Sequence, residues 1–201
     1  MGSAKLWGSE MRLDSLDAGG VTLCCVRSSD SGGLRSRFCR DLVCAVSAHR
    51  TNRSPGSVEV VLTPEGRPVV ADGSISFSIS HTRGLSVIAL RKHGRIGVDI
   101  EFMDRDVDFE LISKAFFLHA GPVTKADFFR EWTCNEALVK ATGQGLVFPA
   151  DPVVPGSAGL ALETIEIAPS YLVALAADSP VTGITVGFVG RAEARVPALP
   201  F

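Results

Sequence analysis

Apolar and polar residues alternate along three short runs between residues 74 and 102, and a period of two belongs to extended chain with one buried face. Residues 74–80 (SISFSIS) turn Ile75, Phe77 and Ile79 to one side. Leu85, Val87 and Ala89 repeat the pattern, and it returns in residues 96–102 after the turn Lys92-His93-Gly94-Arg95. Loops this short predict an antiparallel meander of three strands. Further apolar runs at residues 21–26, 58–62, 160–167, 171–176 and 183–189 read as strands, with turns at residues 63–68, 155–157 and 179–180. Residues 34–48 read as a helix, because Leu34, Phe38 and Leu42, with Ala45 near them, form a stripe. Residues 109–117 read as a second helix, with Leu111, Ile112, Phe116 and Phe117 crowded together. Each half of the chain therefore runs helix and then antiparallel strands. The expectation is an α+β fold of two similar subdomains, residues 1–96 and 97–201, related by a pseudo-twofold with a seam near residues 96–102.

A third helix, residues 128–146, is expected to end at Gly143 or Gly145, residues favoured just past a helix C-terminus. At roughly 100° per residue, Phe128, Phe129, Trp132 and Val139 share about a quarter turn, and Glu136 lies inside that sector. A carboxylate in an apolar stripe is costly to bury unless a cation, a proton or a metal meets it. The simplest partner is Lys140, in the favourable i,i+4 order.

The seam strand offers another. In I-G-V-D-I-E, residues 96–101, Ile96, Val98 and Ile100 point one way while Asp99 and Glu101 point the other. Two carboxylates on one strand face lie roughly 7 Å apart at Cα and repel unless a cation sits between them. Oxygen ligands of this kind suit Mg²⁺. A third carboxylate from a helix crossing the strand would complete such a cage, and Glu136 would then have a reason to face inward. Two unrelated acids on a solvent-facing edge are the other reading.

Composition narrows the class. Twenty Lys and Arg stand against 22 Asp and Glu, a formal net charge of −2, so no bulk attraction to nucleic acid or to a membrane surface is expected. No uncharged apolar run is long enough to span a bilayer, and residues 1–16 lack the apolar core of a secretory signal. The five cysteines are odd in number and form no C-x-x-C pair, which fits reduced thiols in a cytoplasmic protein, most of them packed as small core residues.

Three of these stretches, SISFSISH (residues 74–81), GVDIE (97–101) and EWTCNEALVKATGQGL (131–146), resemble in order and spacing the motifs of the 4'-phosphopantetheinyl transferases, of the surfactin-synthetase-activating, Sfp-like type. Glu65-Gly66-Arg67-Pro68 is similar to that family's G-K-P turn. The resemblance covers residues 37–146 by motif, and the later strands in type only. It implies a monomeric pseudo-twofold α+β fold, and an enzyme that moves phosphopantetheine from coenzyme A to a serine of an acyl or peptidyl carrier protein. It places Asp99, Glu101 and Glu136 on Mg²⁺, Ser80 and His81 on the coenzyme A phosphates, and Lys140 on the pyrophosphate. It sets Arg67 where the family has Lys, and Arg37 near the 3'-phosphate. Glu136 is also implied as a base on the acceptor serine, beside Lys140 as the second catalytic group. Asn135 departs from the family's W-x-x-K-E, and the stretch 117–128 is short. A binder of coenzyme A or carrier protein without transfer, and a metal-dependent phosphohydrolase, are the rival expectations. His93 and His119 have no place in the pattern and are expected to be exposed.

Overall fold

The computed structural model describes residues 3–6, 9–12, 20–27, 33–117, 124–143, 159–168, 170–181 and 184–189. A short N-terminal hairpin, β1 (Ser3–Leu6) with β2 (Ser9–Arg12), precedes β3 (Val21–Arg27) and helix α1 (Gly33–Thr51). A small hairpin, β4 (Val60–Leu62) with β5 (Pro68–Val70), leads into β6 (Ser76–Thr82), β7 (Leu85–Arg91) and β8 (Ile96–Phe102). Helices α2 (Phe109–Phe116) and α3 (Lys125–Thr142) come next, then β9 (Ala161–Ala168), β10 (Tyr171–Ala177) and β11 (Ile184–Val189). The protein is thus α+β, with mostly antiparallel sheets and, among the described residues, three helices.

β6, β7 and β8 form as strands, with both faces of β7 and β8 buried rather than one, but the expected three-stranded meander does not form. β6 and β7 pair antiparallel in a sheet ordered β11-β3-β7-β6, in which β11 runs parallel to β3. β8 leaves that sheet and pairs with β10 in a second one, ordered β8-β10-β9. The reason lies in what the strands bury. Leu23 and Cys25 of β3, Val87 and Ala89 of β7, Ile96, Val98 and Ile100 of β8, and Val173 and Leu175 of β10 make one apolar layer, so the two sheets lie face to face. Within one flat sheet β8 could not cover that layer. The turn that carries it across is pinned by Asp178, whose carboxylate accepts from Arg91 Nη1 at 2.7 Å and from the Arg95 N–H at 2.8 Å.

Each sheet has a helix on its outer face. Cys39, Leu42, Val43 and Val46 of α1 cover Cys24, Val26, Ile88 and Leu90 on the first sheet. Cys134, Ala137 and Ala141 of α3 cover Ala174 and Ala176 on the second. The layers therefore run helix, sheet, sheet, helix. All five cysteines are free thiols, and burial pushes Cys24 up to about 12 and Cys25 and Cys134 up to about 11, values that keep them protonated and inert. Among the described residues no helix is long and apolar enough to cross a membrane. His93 is exposed, while His119 and the tail from residue 190 lie outside the described residues.

Candidate active site at the helix and strand seam

Helix α3 begins at a capping box, with Thr124 Oγ1 accepting from the Asp127 N–H at 3.1 Å and Asp127 answering to the Thr124 N–H. It ends at Gly143, which adopts φ 74° and donates its N–H to Val139 O at 2.9 Å. Its buried face differs from the stripe expected from large residues. Phe128 and Phe129 are buried against the aromatic cluster of Phe117, Phe109 and Trp132, but further on the face passes to Thr133, Cys134, Ala137 and Ala141. These small residues bring the helix backbone against β8, leaving Glu136 and Lys140 on the margin of the contact, half-buried.

Gly97 makes that contact possible. A Cβ built there would stand 2.0 Å from Ala137 O and 2.4 Å from Ala141 N, so no other residue fits without moving helix backbone. Asp99 and Glu101 follow on the same strand face, 5% and 8% exposed. Opposite them on β10 stand Ala174 and Leu172.

Lys140 reaches across the seam. Its Nζ donates to Asp99 Oδ1 at 2.7 Å and to Ser80 Oγ at 3.0 Å, while Ser80 Oγ donates to the same carboxylate oxygen at 2.6 Å. The ion partner of Lys140 is therefore Asp99, not the Glu136 of its own helix. β6 is held beside β8 by the Val98 N–H, which donates to Ser78 Oγ at 3.1 Å. Glu101 meets Arg105 four residues on, at 3.3 Å from Oε2 to Nη1, and the guanidinium lies over the Phe129 ring at 5.3 Å from its centroid.

Burial first, then the neighbouring charges, sets the proton affinities. The Glu101 carboxyl is pushed up to about 7 by burial, drawn down by Arg105, raised by Asp99, eased by a hydrogen bond from Trp132 and raised again by Glu136. Burial and the charge of Asp99 raise Glu136, against the pull of Lys140. The three acids thus share one electrostatic neighbourhood.

Carboxylate oxygens are the donors a hard divalent cation takes, and Asp99 Oδ2 is buried with no hydrogen-bond partner. The donor set suits Mg²⁺. Among the described residues no three acidic, His or Cys side chains converge closely enough to hold a metal, and Lys140 and Arg105 stand against Asp99 and Glu101.

The remaining expected residues fall as follows. Arg67, in the turn of the β4–β5 hairpin, donates through Nη2 to Ile96 O at 3.0 Å and through Nη1 to Ala141 O at 3.4 Å. His81 follows Ser80 and is exposed at the end of β6. Arg37 is exposed on α1, and among the described residues no ion pair or hydrogen bond joins it to the seam. Asn135 Nδ2 is buried without a hydrogen-bond partner. Arg105 was not singled out by the motifs, although its place four residues after Glu101, beyond the strand end, is legible in sequence.

No family model matches the chain. Two named proteins are similar to it. One is the 4'-phosphopantetheinyl transferase HetI of Nostoc sp., 33% identical over 105 residues, which are 46% of this chain and 44% of that protein. The other, slr0495 of Synechocystis sp., carries the same transferase name provisionally and is 30% identical over 114 residues, 50% of this chain and 46% of its own. The matched part spans less than half the length of either relative.

Proposed function

We propose that the chain is a 4'-phosphopantetheinyl transferase, which moves the phosphopantetheine group of coenzyme A to a serine hydroxyl of an apo carrier protein and releases 3',5'-ADP. The observation that carries this reading is the junction at which Lys140, Asp99 and Ser80 meet across the seam, with Glu101 and Glu136 coupled to them. In this reading Asp99, Glu101 and Glu136 would hold Mg²⁺ once they close on it, and the cation would neutralise charge on the pyrophosphate oxygens.

The chain's own groups supply the rest. The serine oxygen forms a bond to the β-phosphorus as the bond from that phosphorus to the 3',5'-ADP oxygen breaks. Lys140, with three N–H donors and two of them engaged by Asp99 and Ser80, supports the departing phosphate. Where Glu136 is not engaged by the cation, it takes the serine proton. A carboxylate bound tightly to a cation is a poor base, and an ordered water is then the route for that proton. Ser80, His81, Arg67 and Arg37 are the proposed contacts for the coenzyme A phosphates. A handful of cations placed in this way neutralises a polyanion without making the whole chain basic. We take the protein to be a cytoplasmic monomer whose site lies where residues 1–96 and 97–201 meet.

Incubation with coenzyme A, Mg²⁺ and an apo carrier protein tests the proposal. Transfer adds the mass of phosphopantetheine to the carrier and releases 3',5'-ADP. Release of 3',5'-ADP with an unchanged carrier identifies a hydrolase, and neither product identifies a binder, the outcome that Asn135 in place of lysine would favour.

A further inference from the structure

Arg67 sits in the turn between β4 and β5, outside both main sheets, yet its guanidinium ends between the first residue of β8 and the last turn of α3. We infer that Arg67 is a positioning residue: it clamps the helix that carries Glu136 and Lys140 to the strand that carries Asp99 and Glu101. The inference rests on the proposed reaction only for what those four residues do.

Three observations converge on the clamp. The last carbonyls of a helix have no partner within the helix, and a cation there also meets the negative end of the helix dipole; Ala141 O is one of those carbonyls. Ile96 O belongs to the residue before Gly97, the point where a Cβ would overlap Ala137 O and Ala141 N. The clamp therefore closes on the place where helix and strand come closest. The turn that holds Arg67 is itself rigid, with the Arg67 N–H donating to Thr63 Oγ1 at 3.2 Å and Thr63 N–H to Arg67 O at 2.8 Å.

Only a planar fork does this. Arg presents five donors in fixed directions, so two nitrogens reach two carbonyls on different elements while other donors remain for an anion. A lysine ammonium is one point on a flexible stem and cannot fix the spacing of two carbonyls. Arginine here thus adds a function beyond positive charge: it sets the register of four side chains from the other half of the molecule.

The test compares Arg67→Lys and Arg67→Ala with the wild type. Without ligand, both variants are expected to unfold several degrees lower and to exchange the amides of residues 137–143 faster. At a temperature where each is fully folded, kcat for transfer is expected to fall about 10- to 100-fold, the scale of a small misplacement of reacting groups. Arg67→Lys is expected to recover KM for coenzyme A more than kcat. Wild-type unfolding, exchange and kcat in Arg67→Lys, with only KM raised, would make Arg67 a phosphate contact and overturn the inference. A lowered midpoint with kcat intact would make it a brace with no positioning role, which overturns it too. If the wild type transfers nothing, the proposed reaction fails on its own, and unchanged exchange in the variants would then sink the clamp separately.

Discussion

Replacing Gly97 with alanine adds one methyl group at the closest approach in the molecule. The new Cβ would stand 2.0 Å from Ala137 O, 2.4 Å from Ala141 N and 3.0 Å from Ala141 Cα, all of them helix main chain. Ordinary contact begins near 3.4 Å, so α3 must retreat by about 1.4 Å, the difference from 2.0 Å. Lys140 travels with it, and its 2.7 Å bond to Asp99 stretches to about 4 Å, beyond hydrogen-bond range. Overpacking of this kind costs about 3 kcal/mol, which in a chain of this size lowers the thermal midpoint by roughly 6–12 °C. A shift of this size at reacting groups lowers transfer about 10²-fold even where the variant is folded. Calorimetric or circular-dichroism melting and the carrier-protein mass assay measure both effects. Gly97→Ala with a wild-type midpoint and wild-type turnover would refute the claim that helix and strand touch here.

Other substitutions test single groups. Glu101, pushed up to about 7 from 4.5, favours the folded state fully below pH 4.5, and that contribution is lost as pH rises through about 7. Its full value of about 3 kcal/mol is reduced to about 1–2 kcal/mol by water on its open side. Glu101→Gln should therefore flatten the decline of metal-free stability between pH 4.5 and 7 in denaturant titrations, and an unchanged slope would contradict the assignment. Asn135→Lys should lower KM for coenzyme A more than it alters kcat, since it restores a cation at a position whose amide nitrogen has no partner. An unchanged or raised KM would show that another group, such as Arg130, already supplies that charge.

The strand β8 was legible to its ends, because strict alternation between two turns leaves little freedom. So was the close of α3 at Gly143, which a glycine after a lysine-bearing last turn announces. What β8 pairs with was not. Alternation shows that a strand has a buried face but says nothing of whether that face belongs to its own sheet or to the one packed on it. The choice of β10 over β7 comes from long-range burial around Val98 and Val173. β1, β2 and β5 are three or four residues long and carry too little pattern to register. In the site, Asp99, Glu101, Glu136, Lys140 and Ser80 were each visible as motif residues, and the structure gathers them. Sequence offered a cation between the acids and Lys140 as the partner of Glu136; in the folded chain Asp99 is held by Lys140 and Ser80, and Glu101 by Arg105. The clamp by Arg67 joins residues 67, 96 and 141, a contact with no local signal at all.

Glu136→Gln puts the central claim to the most direct test, because it keeps the shape of the side chain and removes its charge. A glutamate raised by burial and by Asp99 is a cost to the metal-free fold at neutral pH, so the amide should melt no lower than the wild type without ligand. Its turnover on a carrier protein, with saturating coenzyme A and Mg²⁺, is the decisive measurement. The account predicts a loss of at least about 100-fold, the scale of a missing acid–base group. A folded Glu136→Gln protein that modifies its carrier at the wild-type rate would contradict it.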